Sequence, residues 1–255
     1  MLIWKLSSTD NLLFNYHKSI TMAKPIYSIQ HAAAEIFADK EQRDKYVDRL
    51  KMSRKYRLAI QKMKPTQKNV FFKPISWTSA RGNEYSIRIC VSSKTEGKKH
   101  RLQSVELMMF QIDNQTCAAA ISVDKDGDLI KIFKHHFIRR YNERLLKKPD
   151  MDMGEVICTF LHNNTCGVMM QMESKKYNDS FAFIYPEGIG FGNFNPQQRY
   201  SVLNTFVTKD MLYKNQMKVT ADMQKIIDLL SKRSLLEIEL LTKLDLATKM
   251  PYRLL

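Results

Sequence analysis

The stretch Leu129–Lys147, LIKIFKHHFIRRYNERLLK, holds two kinds of structure in one run. Leu129 to Phe133 is strand-like. From Lys134 the chain reads as a helix, and Pro149 stops it. With about 100° per residue, Phe137, Ile138, Tyr141, Leu145 and Leu146 fall on one broad apolar face. His136, Arg139, Arg140, Glu143 and Arg144 share the opposite face, within an arc of about 140°. The helix therefore docks by its apolar side and presents an imidazole among guanidiniums on the other. That composition can hold a phosphodiester and move a proton near neutral pH. A plain solvated face has the same composition, since surface charge is common.

Upstream of this stretch the pattern is helix first and then strands. Ser28 to Met63 reads as helix with a break near Asp39. Between Lys40 and Lys64 ten Lys or Arg stand against three Asp or Glu, with Tyr46 and Tyr56 interleaved. Such a helix can follow a phosphate backbone, through Arg49, Lys51, Arg54, Lys55 and Arg57. Pro65 ends it. Strand signals follow at Val70–Trp77, Glu84–Val91, Leu102–Ile112 and Thr116–Val123, and the last leads through Lys125–Asp128 into Leu129–Phe133. These connections are too short for crossovers, so the sheet is expected to be an antiparallel meander.

Downstream, Asp152 and Glu155 form a capping box for a second helix that ends at Asn163. Strand-like runs follow at Gly167–Met172, Phe181–Tyr185 and Tyr200–Thr208. Between the last two lies Gly188-Ile-Gly-Phe-Gly192. No helix follows it, so it lacks the strand–turn–helix setting of a dinucleotide site and reads as a flexible strand or turn. Leucine-rich helical patterns close the chain, with Ser234 and Glu237 as another capping box.

The fold class is therefore α+β: an N-terminal helix, an antiparallel meander sheet, a central helix pair, further antiparallel strands and C-terminal helices. Residues 1–27 read as a tail or non-native extension, 28–133 as the basic helix with its sheet, and 134–212 as the helix pair and strands with the candidate site. Residues 213–255 read as helices packed on the body, which can also meet a protein partner.

With 255 residues, 44% hydrophobic and 26% charged, the chain can bury a sizeable core. Its net charge of +15 favours polyanionic partners, with nucleic acid foremost. No apolar run is long enough for a transmembrane helix. Cys90, Cys117, Cys158 and Cys166 have no C-x-x-C spacing and read as free thiols in a reducing cytoplasm. No metal site is expected. Asp124, Asp126 and Asp128 alternate, but a calcium loop needs Gly and Glu where Leu129 and His135 stand.

His136, Arg140, Glu143 and Arg144 spell H-x3-R-x2-E-R. This resembles the first helix of small RNA-cleaving toxin domains of the barnase–EndoU–colicin–RelE type, which include relatives of RelE and ParE and some contact-dependent-inhibition toxin tips. The resemblance covers about Phe133 to Leu212. It implies metal-independent cleavage of RNA without a cofactor, with His136 as acid or base and Arg140 and Arg144 on the phosphate. Glu143 would transfer a second proton or orient an arginine, Arg139 would contact nucleic acid, and a hydroxyl from the last strand, Thr205 or Thr208, would assist. Two other classes remain open: a non-catalytic nucleic-acid-binding protein, and an assembly protein of a phage or mobile element.

Overall fold

The computed structural model describes residues 26–62, 70–91, 102–124, 127–164, 167–171, 180–212 and 252–254. The expected C-terminal helices between residues 213 and 251, and most of the expected tail, lie outside them.

Asp39 breaks the N-terminal helix as expected, and Ser53 breaks it again, giving α1 (Ile29–Ala38), α2 (Lys40–Met52) and α3 (Arg54–Lys62). Ser28 caps α1, its hydroxyl accepting from His31 N. Six strands follow: β1 (Val70–Phe71), β2 (Ile75–Thr78), β3 (Glu84–Val91), β4 (Leu102–Ile112), β5 (Gln115–Asp124) and β6 (Gly127–Phe133). The chain turns helical at Lys134 into α4 (His135–Tyr141), which runs on through a wider π turn, Asn142–Leu146. Lys147 closes that turn in the left-handed region at φ 55°. Asp152 caps α5 (Met153–Asn163) by accepting from Gly154 N at 2.7 Å. Four more strands follow, β7 (Val168–Gln171), β8 (Ser180–Tyr185), β9 (Gly188–Asn195) and β10 (Tyr200–Val207). The last, β11 (Tyr252–Leu254), falls where helix was expected and pairs with β7.

All eleven strands join one sheet in the order β1-β3-β4-β5-β6-β10-β9-β8-β7-β11, with β2 also on β3. The architecture is α+β and mostly antiparallel, with one departure from the expected pattern. β10 lies parallel to β6, pairing Tyr200 with Ile130 through Leu203 with Phe133. The segment between these strands, with α4, α5 and β7–β9, is the crossover that a parallel pair requires.

The glycine-rich run is a full strand and not a turn. Gly188, Gly190 and Gly192 stand on one face of β9, where β-carbons would strike Phe206, Leu203 and the carbonyl of Val202. Absent side chains let β10 and its aromatic neighbours close over this strand.

Helices cover opposite faces of the sheet. On one, Ala32, Ala33, Ile36, Val47 and Tyr56 pack on Tyr85, Ile87, Ile89, Met108, Phe110, Ala119 and Ile132. On the other, Phe137, Ile138, Tyr141, Val156, Ile157 and Phe160 pack on Leu107, Ala118, Ala120, Phe133, Leu203 and Phe206. Alanines at 118, 119 and 120, all buried, let helices approach β5 from both sides. Phe160 is the hub of the second core. Its ring centroid lies 5.4 Å from Phe133, 5.1 Å from Phe137, 5.1 Å from Tyr141 and 5.0 Å from Tyr185, all edge-on, the arrangement that aromatic quadrupoles favour.

Phe160→Ala should lower stability by about 3–5 kcal/mol, read as the shift of the urea unfolding midpoint at constant slope, with Phe160→Leu in between. An alanine variant that unfolds at the parent's midpoint would show that this cluster does not hold α5 to the sheet.

Candidate nucleic-acid interface

The helix face read from the sequence is present. Phe137, Ile138 and Tyr141 are buried, whereas His136, Arg139 and Glu143 are exposed and Arg140 and Arg144 are partly so. The charged groups are tied to one another. Arg140 Nη1 donates to Glu143 Oε2 at 2.8 Å, and Arg139 Nε lies 3.3 Å from Glu143 Oε1. One carboxylate thus serves two guanidiniums. Arg144 reaches the sheet instead, its Nη1 donating to the carbonyl of Phe206 in β10.

His136 keeps its imidazole below the ordinary histidine range. Partial burial is the larger cause, followed by repulsion from Arg140, Arg139 and Arg144, while Glu143 pulls the other way. Burial and the three arginines together outweigh Glu143 and favour the neutral ring. Thr208 is buried beyond the end of β10, and its hydrogen bond holds the Asp210 carboxyl below its usual value. Thr205 faces away from α4, because a bulge between Leu203 and Thr205 puts it on the α1 side, opposite Phe191. The structure thus groups His136, Arg139, Arg140, Glu143 and Arg144, places Thr208 two residues beyond the carbonyl that Arg144 holds, and sets Thr205 apart.

The second basic set lies on the other side of the sheet. Arg49, Arg54, Lys55 and Arg57 are exposed on α2 and α3, and Lys51 is partly so. The interleaved tyrosines turn inward. Tyr46 stacks on Trp77 at 5.4 Å between centroids, and Tyr56 meets Phe72 edge-on at 4.7 Å. Lys55 covers this pair, with Nζ 5.4 Å from the Tyr56 ring centroid. Apolar exposure on these helices comes instead from Met52 and Leu58.

Arg43, counted with the basic residues of α2, is no surface charge. It is buried, donates to the carbonyl of Ile36 at 3.0 Å, and pairs through Nε with Glu106 Oε2 at 2.7 Å. Near it, Asp39 accepts from Asn83 Nδ2 at 2.7 Å and Tyr85 OH at 2.9 Å. Glu35 accepts from Arg81 Nη2 at 2.6 Å. This network fixes the α1–α2 elbow on β3 and β4.

Cys90 and Cys117 are buried, Cys158 is half-buried and all three are free. Burial pushes the Cys90 thiol up to about 11 and also raises the other two, which suits packing and not nucleophilic chemistry. Among the described residues no group of three or more His, Cys, Asp or Glu is placed to hold a metal, and no helix is long and apolar enough to cross a membrane. No family model, curated protein or solved structure compared with the chain matches it.

The electrostatics of His136 can be checked directly by NMR titration of its ring protons. Arg140→Ala removes a repelling cation and should raise the midpoint. Glu143→Gln removes the attracting anion and should lower it. Midpoints that stay put in both variants would mean that the ring titrates independently of this face.

Proposed function

We propose that the protein binds single-stranded RNA through the outer face of α2 and α3. The observation that carries this reading is the charge distribution along them. The acids of α2 are Glu41, Asp44 and Asp48, and the first two are taken up by lysines of the same helix, Glu41 by Lys45 at 2.5 Å and Asp44 by Lys40 at 2.9 Å. From Arg49 to Lys62 there is no acid, and Arg49, Lys51, Arg54, Lys55, Arg57 and Lys62 follow in succession. Unneutralised cations on consecutive helices suit a phosphate backbone, and exposed Met52 and Leu58 beside them suit unstacked bases better than a closed duplex. Binding of this kind releases counterions and weakens steeply with salt.

A second reading is favoured by His136, a solvent-facing histidine biased to its neutral form beside Arg140. In that reading the protein cleaves the RNA it binds. The neutral imidazole takes the proton of a ribose 2′-hydroxyl as its oxygen attacks phosphorus. The bond from phosphorus to the 5′-oxygen breaks, and that oxygen leaves with a proton from an acid. The products are a 2′,3′-cyclic phosphate and a free 5′-hydroxyl. Arg139 and Arg140 would meet the charge that develops on the phosphorane. Because α4 lies across the sheet from α2 and α3, this reading draws its phosphate contacts from α4.

Binding of a labelled single-stranded RNA, followed across salt concentrations, tests the first reading. Replacing Arg49, Arg54 and Arg57 together by Gln should weaken binding and flatten the slope of log affinity against log salt by about 2, at about 0.7 per phosphate contact. An unchanged slope would remove α2–α3 as the interface. For the second reading, His136→Ala should lower cleavage about 10²–10⁴-fold with RNA binding kept, and EDTA should have no effect. RNA left intact by the parent protein would leave binding alone.

A further inference from the structure

On the α1 side of the sheet, where β9 and β10 meet the end of β6, is a cavity of about 610 Å³. That volume falls within the range of small-ligand sites. Three parts of the chain wall it. Lys134 continues the alternation of Ile130 and Ile132 past the end of β6. Asn193 and Phe194 of β9 and Tyr200 and Asn204 of β10 form the long side. Gln30, in the first turn of α1, faces them.

The sheet is irregular at this place. Leu203 pairs with Gly192 and Thr205 with Phe191, so Asn204 is the residue that the ladder leaves out. A bulge of this kind re-aims a side chain, and here the amide lines the cavity. Asn195, also at the rim, is committed to its own turn, accepting from Gln198 N at 2.9 Å. Among the described residues no hydrogen bond ties down the side-chain amides of Gln30, Asn193 or Asn204.

Among the described residues the lining has no carboxylate, and Lys134 is its one cation. An anionic ligand fits that charge and a cationic one does not. A side-chain amide carries both donors and acceptors, as the edge of a nucleobase does, and the ring of Tyr200, on the α1 side of the sheet, offers flat apolar surface to a base. We propose that this cavity holds one nucleotide, its base among the amides of Gln30, Asn193 and Asn204 and its phosphate at Lys134. The nucleotide chemistry stands on the cavity alone. That the nucleotide is one residue of a longer strand rests on the RNA-binding reading. Lys134 is two residues before His136, with Cα atoms at most about 7.6 Å apart. A phosphate held there lies where the chain passes from the α1 side of the sheet to the α4 side.

The test uses the full chain, the four ribonucleoside monophosphates and a short single-stranded RNA. Binding is read by equilibrium titration, and folding of each variant by thermal melting. Asn193 and Lys134 are exposed, so Asn193→Leu and Lys134→Ala should fold as the parent does. Asn193→Leu should weaken mononucleotide binding about tenfold, the loss of one or two hydrogen bonds. Lys134→Ala should abolish the preference for a nucleoside monophosphate over its nucleoside. Competition between mononucleotide and RNA would identify the ligand as a residue of the strand. Mononucleotide binding without RNA binding would keep the cavity as a free-nucleotide site and remove the RNA reading. RNA binding that mononucleotides do not compete and neither variant affects would overturn the cavity proposal and leave α2–α3 standing. Preferential binding of neutral oligosaccharides would overturn it as well.

Discussion

The parallel pairing of Ile130–Phe133 with Tyr200–Leu203 constrains the rest of the molecule. A parallel neighbour cannot be reached by a tight turn, so the chain must leave the sheet and return. It leaves as α4 and α5 and returns through β7, β8 and β9, each paired antiparallel with the next. Once β10 lies beside β6, those strands can extend the sheet only outward, and α4–α5 cover the face that α1–α3 leave open. Helices followed by a four-strand meander thus occur twice, joined by their last strands. The middle of the sheet is covered on both sides: Ala118, Ala119, Ile132 and Phe133 are all fully buried.

That double cover explains what the sequence reveals and what it conceals. Strands near the first edge keep the alternation of an ordinary meander, and Glu84–Val91 is legible as one. The helix face of His136 is legible because α4 is docked by one stripe and wet on the other. β5 and β6 are covered on both faces and read as apolar runs in which alternation says little. The parallel seam has no local signature, since the four residues on each side are ordinary strand formers and only the crossover reveals them. β9 is concealed for a different reason. Its glycines lower strand propensity, yet they are there because Phe206, Leu203 and the β10 backbone occupy the space of their side chains.

Long-range partners account for the rest. Arg43 looks like one more cation of a basic helix until Glu106 of β4 is placed against it. A buried ion pair adds little net stability, but either partner alone would be costly, so Arg43 fixes the rotation of α2. Val47, four residues on, shares its inward side. Arg49, six residues on and about 240° around the helix, is turned outward. Tyr46 and Tyr56 are withdrawn from the candidate interface by Trp77 and Phe72, which come from strands that the sequence cannot place beside them. The amide-lined cavity is gathered from α1, Lys134 just past β6, β9 and β10, with no spacing that a linear reading could detect.

The bulge at Asn204 links the two sides of the sheet. Val202, Asn204 and Phe206 have the same parity in sequence, yet Val202 packs on the α1 side and Phe206 on the α4 side. One unpaired residue makes the difference. It sets Asn204 in the cavity wall, turns Phe206 under Phe160 and Tyr141, and presents the Phe206 carbonyl to Arg144. Arg144 is then held by the strand, and the guanidiniums left at the outer face of α4 are Arg139 and Arg140. Both already share Glu143. An anion that approaches this face must therefore compete with a carboxylate fixed on the same helix, whereas Lys134 has no such rival among the described residues that line the cavity. The same unpaired residue thus shapes the cavity wall on one side of the sheet and the set of guanidiniums left at the outer face of α4 on the other.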